Sequence, residues 1–116
     1  MAAREELAVR IRALNDRMRM EGPVTDKSSH WHLTTGVSQL GTDTVRECVR
    51  LVTEFSDFDA DNDPHGEHDF GSFELGDDAF FWKIDYYDPS LTSGSSDPAN
   101  PDATCRVLTI MLASEY

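Results

Sequence analysis

The chain has 116 residues, 39% of them hydrophobic and 28% charged, and a formal net charge of −12. That length predicts a single domain, residues 1–116, with one modest core. The charge argues against nucleic acid as a direct partner, and no apolar run reaches the ~20 residues a membrane helix needs. The N-terminus, MAAREELAVRIRALN, carries charges where a secretion signal needs its apolar segment, so a cytoplasmic protein is expected.

The charge is unevenly placed. Residues 1–56 hold eight basic and eight acidic side chains; residues 57–116 hold two basic, Lys83 and Arg106, and fourteen acidic. The whole imbalance lies in the second half, where it attracts basic surfaces and speeds association with them. The two cysteines, Cys48 and Cys105, fall in apolar helical patterns and read as reduced core thiols. No CxxC or Cys–His spacing makes them a catalytic pair.

In chain order, residues 3–20 read as an amphipathic helix. Leu7, Ile11, Leu14 and Met18 share one face of a 3.6-residue period, and Gly22-Pro23 ends it. Residues 24–30 form a polar connector. Trp31 to Leu40 alternates as a short strand does. Thr42 or Thr44 is placed to cap a second helix, whose stripe of Val45, Cys48, Val49, Val52 and Phe55 runs to about Ser56. An acidic loop, 57–68, follows. Strands 69–75 and 79–87 flank the turn signal Gly76-Asp77-Asp78. In the second strand Phe80, Trp82, Ile84 and Tyr86 share the apolar face. A Pro/Gly/Ser loop covers 88–100. Asn100-Pro101 has the chemistry of a helix start, and the apolar run from Val107 to Leu112 predicts a deeply buried last helix. The predicted fold class is α+β. A small, mostly antiparallel sheet, made of a strand plus a β-hairpin, is packed by about three helices in the order α-β-α-β-β-α.

The acidic loop and hairpin hold the candidate chemistry. Asp59, Asp61, Asp63, His65, Glu67, His68 and Asp69 crowd oxygen and imidazole ligands into one stretch. A calcium loop fails in both registers. Counted from Asp59, Pro64 stands where the sharp turn needs Gly; counted from Asp61, Ser72 stands where the bidentate Glu belongs. HGEH is not a zinc spacing, so His65 and His68 are only an alternative metal pair, and no cofactor is expected. His65, His68 and Asp69 are also the alternative acid–base set for a small enzyme. No nucleophile motif, phosphate loop or dinucleotide fingerprint accompanies them.

Three segments, DNDPHGEHDFG (Asp61–Gly71), FWKIDYYDP (Phe81–Pro89) and RVLTIMLASEY (Arg106–Tyr116), stand behind an N-terminal IRALND (Ile11–Asp16). Together they resemble an uncharacterised family of small proteobacterial proteins. The resemblance implies a single bacterial domain, often encoded on plasmids or other mobile elements. It carries no established activity, so no catalytic residue is transferred. A mobile-element setting brings counter-defence proteins into view by analogy, among them anti-CRISPR and anti-restriction factors.

The expected function is that of an acidic interaction or inhibitor protein. It would mimic the charge row of DNA and block a basic surface, such as that of a CRISPR or restriction nuclease subunit. The expected partner-binding residues are Asp57, Asp59, Asp61, Asp63, Glu67, Asp69, Asp77, Asp78, Asp85 and Asp88, with Tyr86, Tyr87 and Trp31 as aromatic anchors. A homodimer through the last helix or a sheet edge stays open.

Overall fold

The computed structural model describes residues 2–23 and 28–116. Most of the polar connector lies outside the described residues. The chain forms helix α1 (Ala2–Glu21), strand β1 (Ser29–Leu33), a one-turn helix α2 (Thr35–Ser38) and helix α3 (Thr42–Thr53). Strands β2 (Phe70–Leu75), β3 (Asp78–Tyr87) and β4 (Cys105–Leu112) follow, with short 3-10 turns at Pro101–Ala103 and Ala113–Glu115. The strands make one sheet in the order β1-β4-β3-β2. β2–β3 and β3–β4 are antiparallel, and β1–β4 is parallel. The molecule is therefore α+β, with three helices on a four-stranded mixed sheet that is antiparallel in two of its three pairings.

One element departs from expectation. The last apolar run is strand β4, in the interior of the sheet between β1 and β3, and not a helix. Asn100 and Pro101 do start a helical turn, and the Asn100 side chain accepts from the Asp102 N–H at 2.9 Å. That turn lasts only to Ala103. A strand flanked on both sides reads as an unbroken apolar run, which periodicity alone cannot distinguish from a buried helix. Val107, Thr109 and Ile110, all β-branched, favour the strand. The expected strand from Trp31 likewise ends at Leu33. Thr34 then caps α2, its hydroxyl accepting from the Val37 N–H. Gly41, not Thr42 or Thr44, takes the N-cap position of α3, and it makes no side-chain cap bond.

The core lies between the helices and one face of the sheet. Phe80, Trp82 and Ile84 from β3 and Leu108 and Ile110 from β4 meet Met18, Val37, Cys48 and Val52 from the three helices. Each of the larger of these side chains contributes ~1.5–3 kcal/mol by leaving water. Trp82 is at the centre, edge-on to Phe55 at 5.4 Å and to Phe58 at 6.1 Å. Its cross-strand neighbour is Gly71. A Cβ there would come within 2.7 Å of the Phe55 ring, so only glycine leaves the indole its room. On the opposite face Tyr116 packs its ring against Phe70 and Phe81 at 5.9 and 5.2 Å. Glu115 ties this C-terminal turn to α2, accepting from the Thr34 hydroxyl at 2.6 Å and the Gly36 N–H at 3.1 Å. Cys48 and Cys105 are both buried thiols, and burial pushes the Cys48 thiol up to about 11.

Candidate functional site: a polar seam under the acidic loop

The segment from Asp57 to Asp69 is not an extended arm. Its aspartates build their own turns. Asp59 Oδ1 accepts from the Asp61 and Asn62 N–H groups at 2.8 and 3.0 Å. Asn62 returns a bond from Nδ2 to the Asp57 carbonyl at 2.7 Å. Asp63 accepts from the His68 N–H at 3.0 Å and holds that residue at a φ of 54°, a left-handed value unusual outside glycine. These are the uses that short acidic side chains have in turns.

Helix α1 fastens the loop from below. Arg12 donates to the Gly66 carbonyl at 3.0 Å, and Asn15 Nδ2 donates to the Glu67 carbonyl at 3.0 Å. The His68 ring lies flat on Phe58, with centroids 3.8 Å apart and planes 2° from parallel. Its Nδ1 is 2.9 Å from Asp16 and its Nε2 3.5 Å from Asp63. Only the doubly protonated ring has a proton for each carboxylate. Asp16 also pairs with Arg19 at 3.1 Å. Arg19 is 1% exposed and donates to the carbonyls of Val52, Thr53 and Phe55, which closes the C-terminal end of α3.

A second branch runs through the interior. Asn15 is fully buried and donates to the Tyr86 hydroxyl at 2.8 Å. Tyr86 donates in turn to Glu67 at 2.8 Å. Arg106, 3% exposed, donates from Nε to Asn15 Oδ1 at 2.8 Å and from Nη2 to the Pro98 carbonyl. Its guanidinium lies over the Tyr86 ring, 5.3 Å from the centroid. Burial raises the Tyr86 hydroxyl's pKa and lowers that of Arg106. Burial also raises Asp69, and the neighbouring Glu67 charge adds to this. The structure thus joins α1, the acidic loop, β3 and β4 in one hydrogen-bonded seam.

The expected partner-binding residues divide accordingly. Asp57, Asp59 and Asp61 are exposed at the head of the loop, and Asp77 and Asp78 are exposed at the hairpin turn. Asp63 and Glu67 bond within the seam, and Asp69 is half-buried, its carbonyl accepting from the Ile84 N–H. Asp85 pairs with Lys83 at 2.9 Å on the sheet face away from the helices. Asp88 organises its own loop, accepting from Ser90 at 2.8 Å and Thr92 at 3.1 Å, and its pKa is held down by these donors. Tyr86 points its hydroxyl inward, and Trp31 is partly buried against the core. Tyr87 stands on the sheet face with Lys83 and Asp85. His65 is exposed beside a groove between the start of α1 and Pro64. Among the described residues, no group of three or more His, Cys, Asp or Glu side chains is arranged to hold a metal ion. No helix among them is long and apolar enough to cross a membrane.

Asn15, Asp16, Arg19 and Arg106 were not singled out from sequence. One signal was available for Asn15. It falls between Ile11 and Met18 at i+4 and i+7, a polar residue inside an apolar stripe.

A sequence model of one family matches residues 33–115, described as a protein of unknown function (DUF3768). The match spans most of the chain, and the protein belongs to that family. No match is found among curated proteins or solved structures.

Proposed function

We propose that this protein is an acidic interaction module that occupies the basic, nucleic-acid-binding surface of a partner protein and blocks it. The observation that carries this reading is the fate of the cations. In the strongly acidic second half both basic side chains are engaged: Lys83 is paired to Asp85, and Arg106 is buried in the seam. On α3, Arg50 is held between Glu47 and Glu54. The outward carboxylates gather beyond the two ends of that helix. Asp43, Asp77 and Asp78 line one cavity at its start, and Asp57, Asp59 and Asp61 follow its end. Helix α3 itself is ~18 Å long. A rigid body with carboxylate groups at both ends of such a helix offers a basic groove what a stretch of phosphate backbone offers it. A CRISPR or restriction nuclease is the kind of partner this would inhibit. The acid–base alternative has less behind it, because His68 is stacked on Phe58 and bracketed by carboxylates.

The test is capture from bacterial lysate at two salt concentrations, with duplex DNA as competitor. Wild type is compared with Asp57/Asp59/Asp61→Asn and with Asp77/Asp78→Asn. Asparagine at position 59 keeps the oxygen that closes the turn. The expected result is salt-sensitive capture of a nucleic-acid-handling protein, displaced by duplex and weakened in both variants. Equal capture by all three proteins, or capture indifferent to duplex, overturns the reading.

A further inference from the structure

We propose that His68 is a proton-operated latch: it holds the acidic loop against helix α1 when its ring is charged and loosens residues 63–68 when the ring is neutral. The ring stands between two carboxylates on separate elements. Its Nδ1 is 2.9 Å from Asp16 on α1, and its Nε2 is 3.5 Å from Asp63 in the loop. The same Asp16 oxygen is 3.1 Å from Arg19 Nη2. The charges facing the ring are therefore Asp16 and Arg19 from α1 and Asp63 from the loop, while Phe58 covers its flat side. Its chain neighbours are acidic as well. The Glu67 carboxylate is engaged by the Tyr86 hydroxyl of β3, and Asp69 is half-buried. Asp16 and Asp63 against Arg19 leave one negative charge, which a proton on His68 cancels.

The neutral ring cannot serve both carboxylates. It carries one proton, so its other nitrogen turns a lone pair toward a carboxylate oxygen. Whichever tautomer forms, one of the two contacts becomes repulsive. The carboxylates differ in what they can do about it. The Asp16 side chain is 27% exposed and can meet water, whereas that of Asp63, at 6%, is almost out of its reach. A buried carboxylate that loses its cation is strongly unfavourable, and moving the loop that carries it relieves this. Such a movement spreads, because Asp63 and His68 are also joined through the backbone. Asp63 accepts from the His68 N–H at 3.0 Å, and His68 is held at a φ of 54°, a conformation that stores strain in any residue but glycine. The Asp63 N–H bonds to the Asp59 carbonyl at 2.9 Å, and the Gly66 N–H bonds to the Asp63 carbonyl at 3.2 Å. The turn that presents Asp59 and Asp61 to solvent is thus fastened to the latch. Imidazole is the side chain whose ordinary titration falls near neutral pH, which suits a histidine to this task. The latch stands whether or not the exposed carboxylates bind a basic partner.

Nuclear magnetic resonance of the labelled full chain tests it over pH ~5 to ~8, the range in which imidazoles titrate. The His68 ring Cε1–H signal reports protonation. Amide hydrogen exchange, corrected for its intrinsic pH dependence, reports how well the Asp63, Gly66 and His68 N–H groups are protected. Their protection is expected to fall about tenfold as the ring loses its proton, while amides of β3 and β4 keep theirs. His68→Asn tolerates the left-handed backbone but has no proton to lose, so the protection of Asp63 and Gly66 should be low at every pH. If that variant does not fold, Asp63→Asn decides. Its side-chain oxygen still accepts from the His68 N–H, but no carboxylate faces the neutral ring there, so the fall with pH should shrink several-fold. A His68 ring that stays in one protonation state across the range overturns the latch. So does loop protection that ignores the ring's titration, or a pH-dependent loss that persists undiminished in either variant.

Discussion

Asn15 serves three partners that nothing else in the interior can serve. Its amide donates to Tyr86 and to the Glu67 carbonyl, and its oxygen accepts from Arg106. Removing it leaves the Glu67 carbonyl and an Arg106 N–H without this partner and takes one of the two bonds of the Tyr86 hydroxyl, which keeps Glu67. Each buried group left unsatisfied costs ~1–3 kcal/mol, and more where it is charged. Asn15→Ala is therefore expected to destabilise by on the order of 3 kcal/mol, read as a lower urea midpoint with an unchanged slope. A loss below about 1 kcal/mol would mean that water takes over the side chain's bonds. The seam was hard to read in the sequence for a plain reason. Asn15 lies 71 residues from Tyr86 and 91 from Arg106, and no local spacing joins them. The acidic loop was partly legible. Its aspartates do form turns, as their residue type suggests, but sequence did not separate Asp57, Asp59 and Asp61, which face solvent, from Asp63, which holds His68.

Elements were legible where one face met water. The β2–β3 hairpin follows from alternation on either side of Gly76, and α1 follows from its apolar stripe. β4 was not legible, because an interior strand buried on both sides has no polar phase to reveal a period of two. The same burial makes the hairpin intolerant at Gly71. Gly71→Ala would drive a methyl against Phe55 and the Trp82 indole, both fixed by their edge-on contacts. The expected loss is ~1–3 kcal/mol from overpacking, seen as a fall of several degrees in Tm. Gly76→Ala is the control. Nothing lies within 4 Å of its added Cβ, so only the left-handed backbone, at a φ of +63°, opposes it. That strain costs ~1 kcal/mol. If the two variants fall equally, the contact with Phe55 and Trp82 is relieved by a small backbone shift and the core is softer there than its geometry implies.

At the scale of the whole molecule, two electrostatic effects oppose each other, and their balance is measurable. Ion pairs such as Arg17–Glu21, Arg50–Glu54 and Lys83–Asp85 stabilise and are weakened by salt. They are surface pairs, worth ~0–1 kcal/mol each. Against them stands a net charge of −12 within a body 42 × 32 × 23 Å in extent. The screening length falls from ~30 Å at 0.01 M salt to ~8 Å at 0.15 M, so low salt lets acidic groups repel across the molecule and physiological salt confines repulsion to near neighbours. Unfolding relieves that repulsion by spreading the charges apart. With both cations of the second half already engaged, repulsion should win. The urea midpoint is therefore expected to rise as sodium chloride is added over this range. A midpoint that falls would mean that the ion pairs dominate and that the acidic groups are better compensated than their placement implies. The long-range field that salt removes here is also the one that would draw a basic partner in, so the rise in stability and the loss of partner capture should follow the same ionic-strength scale.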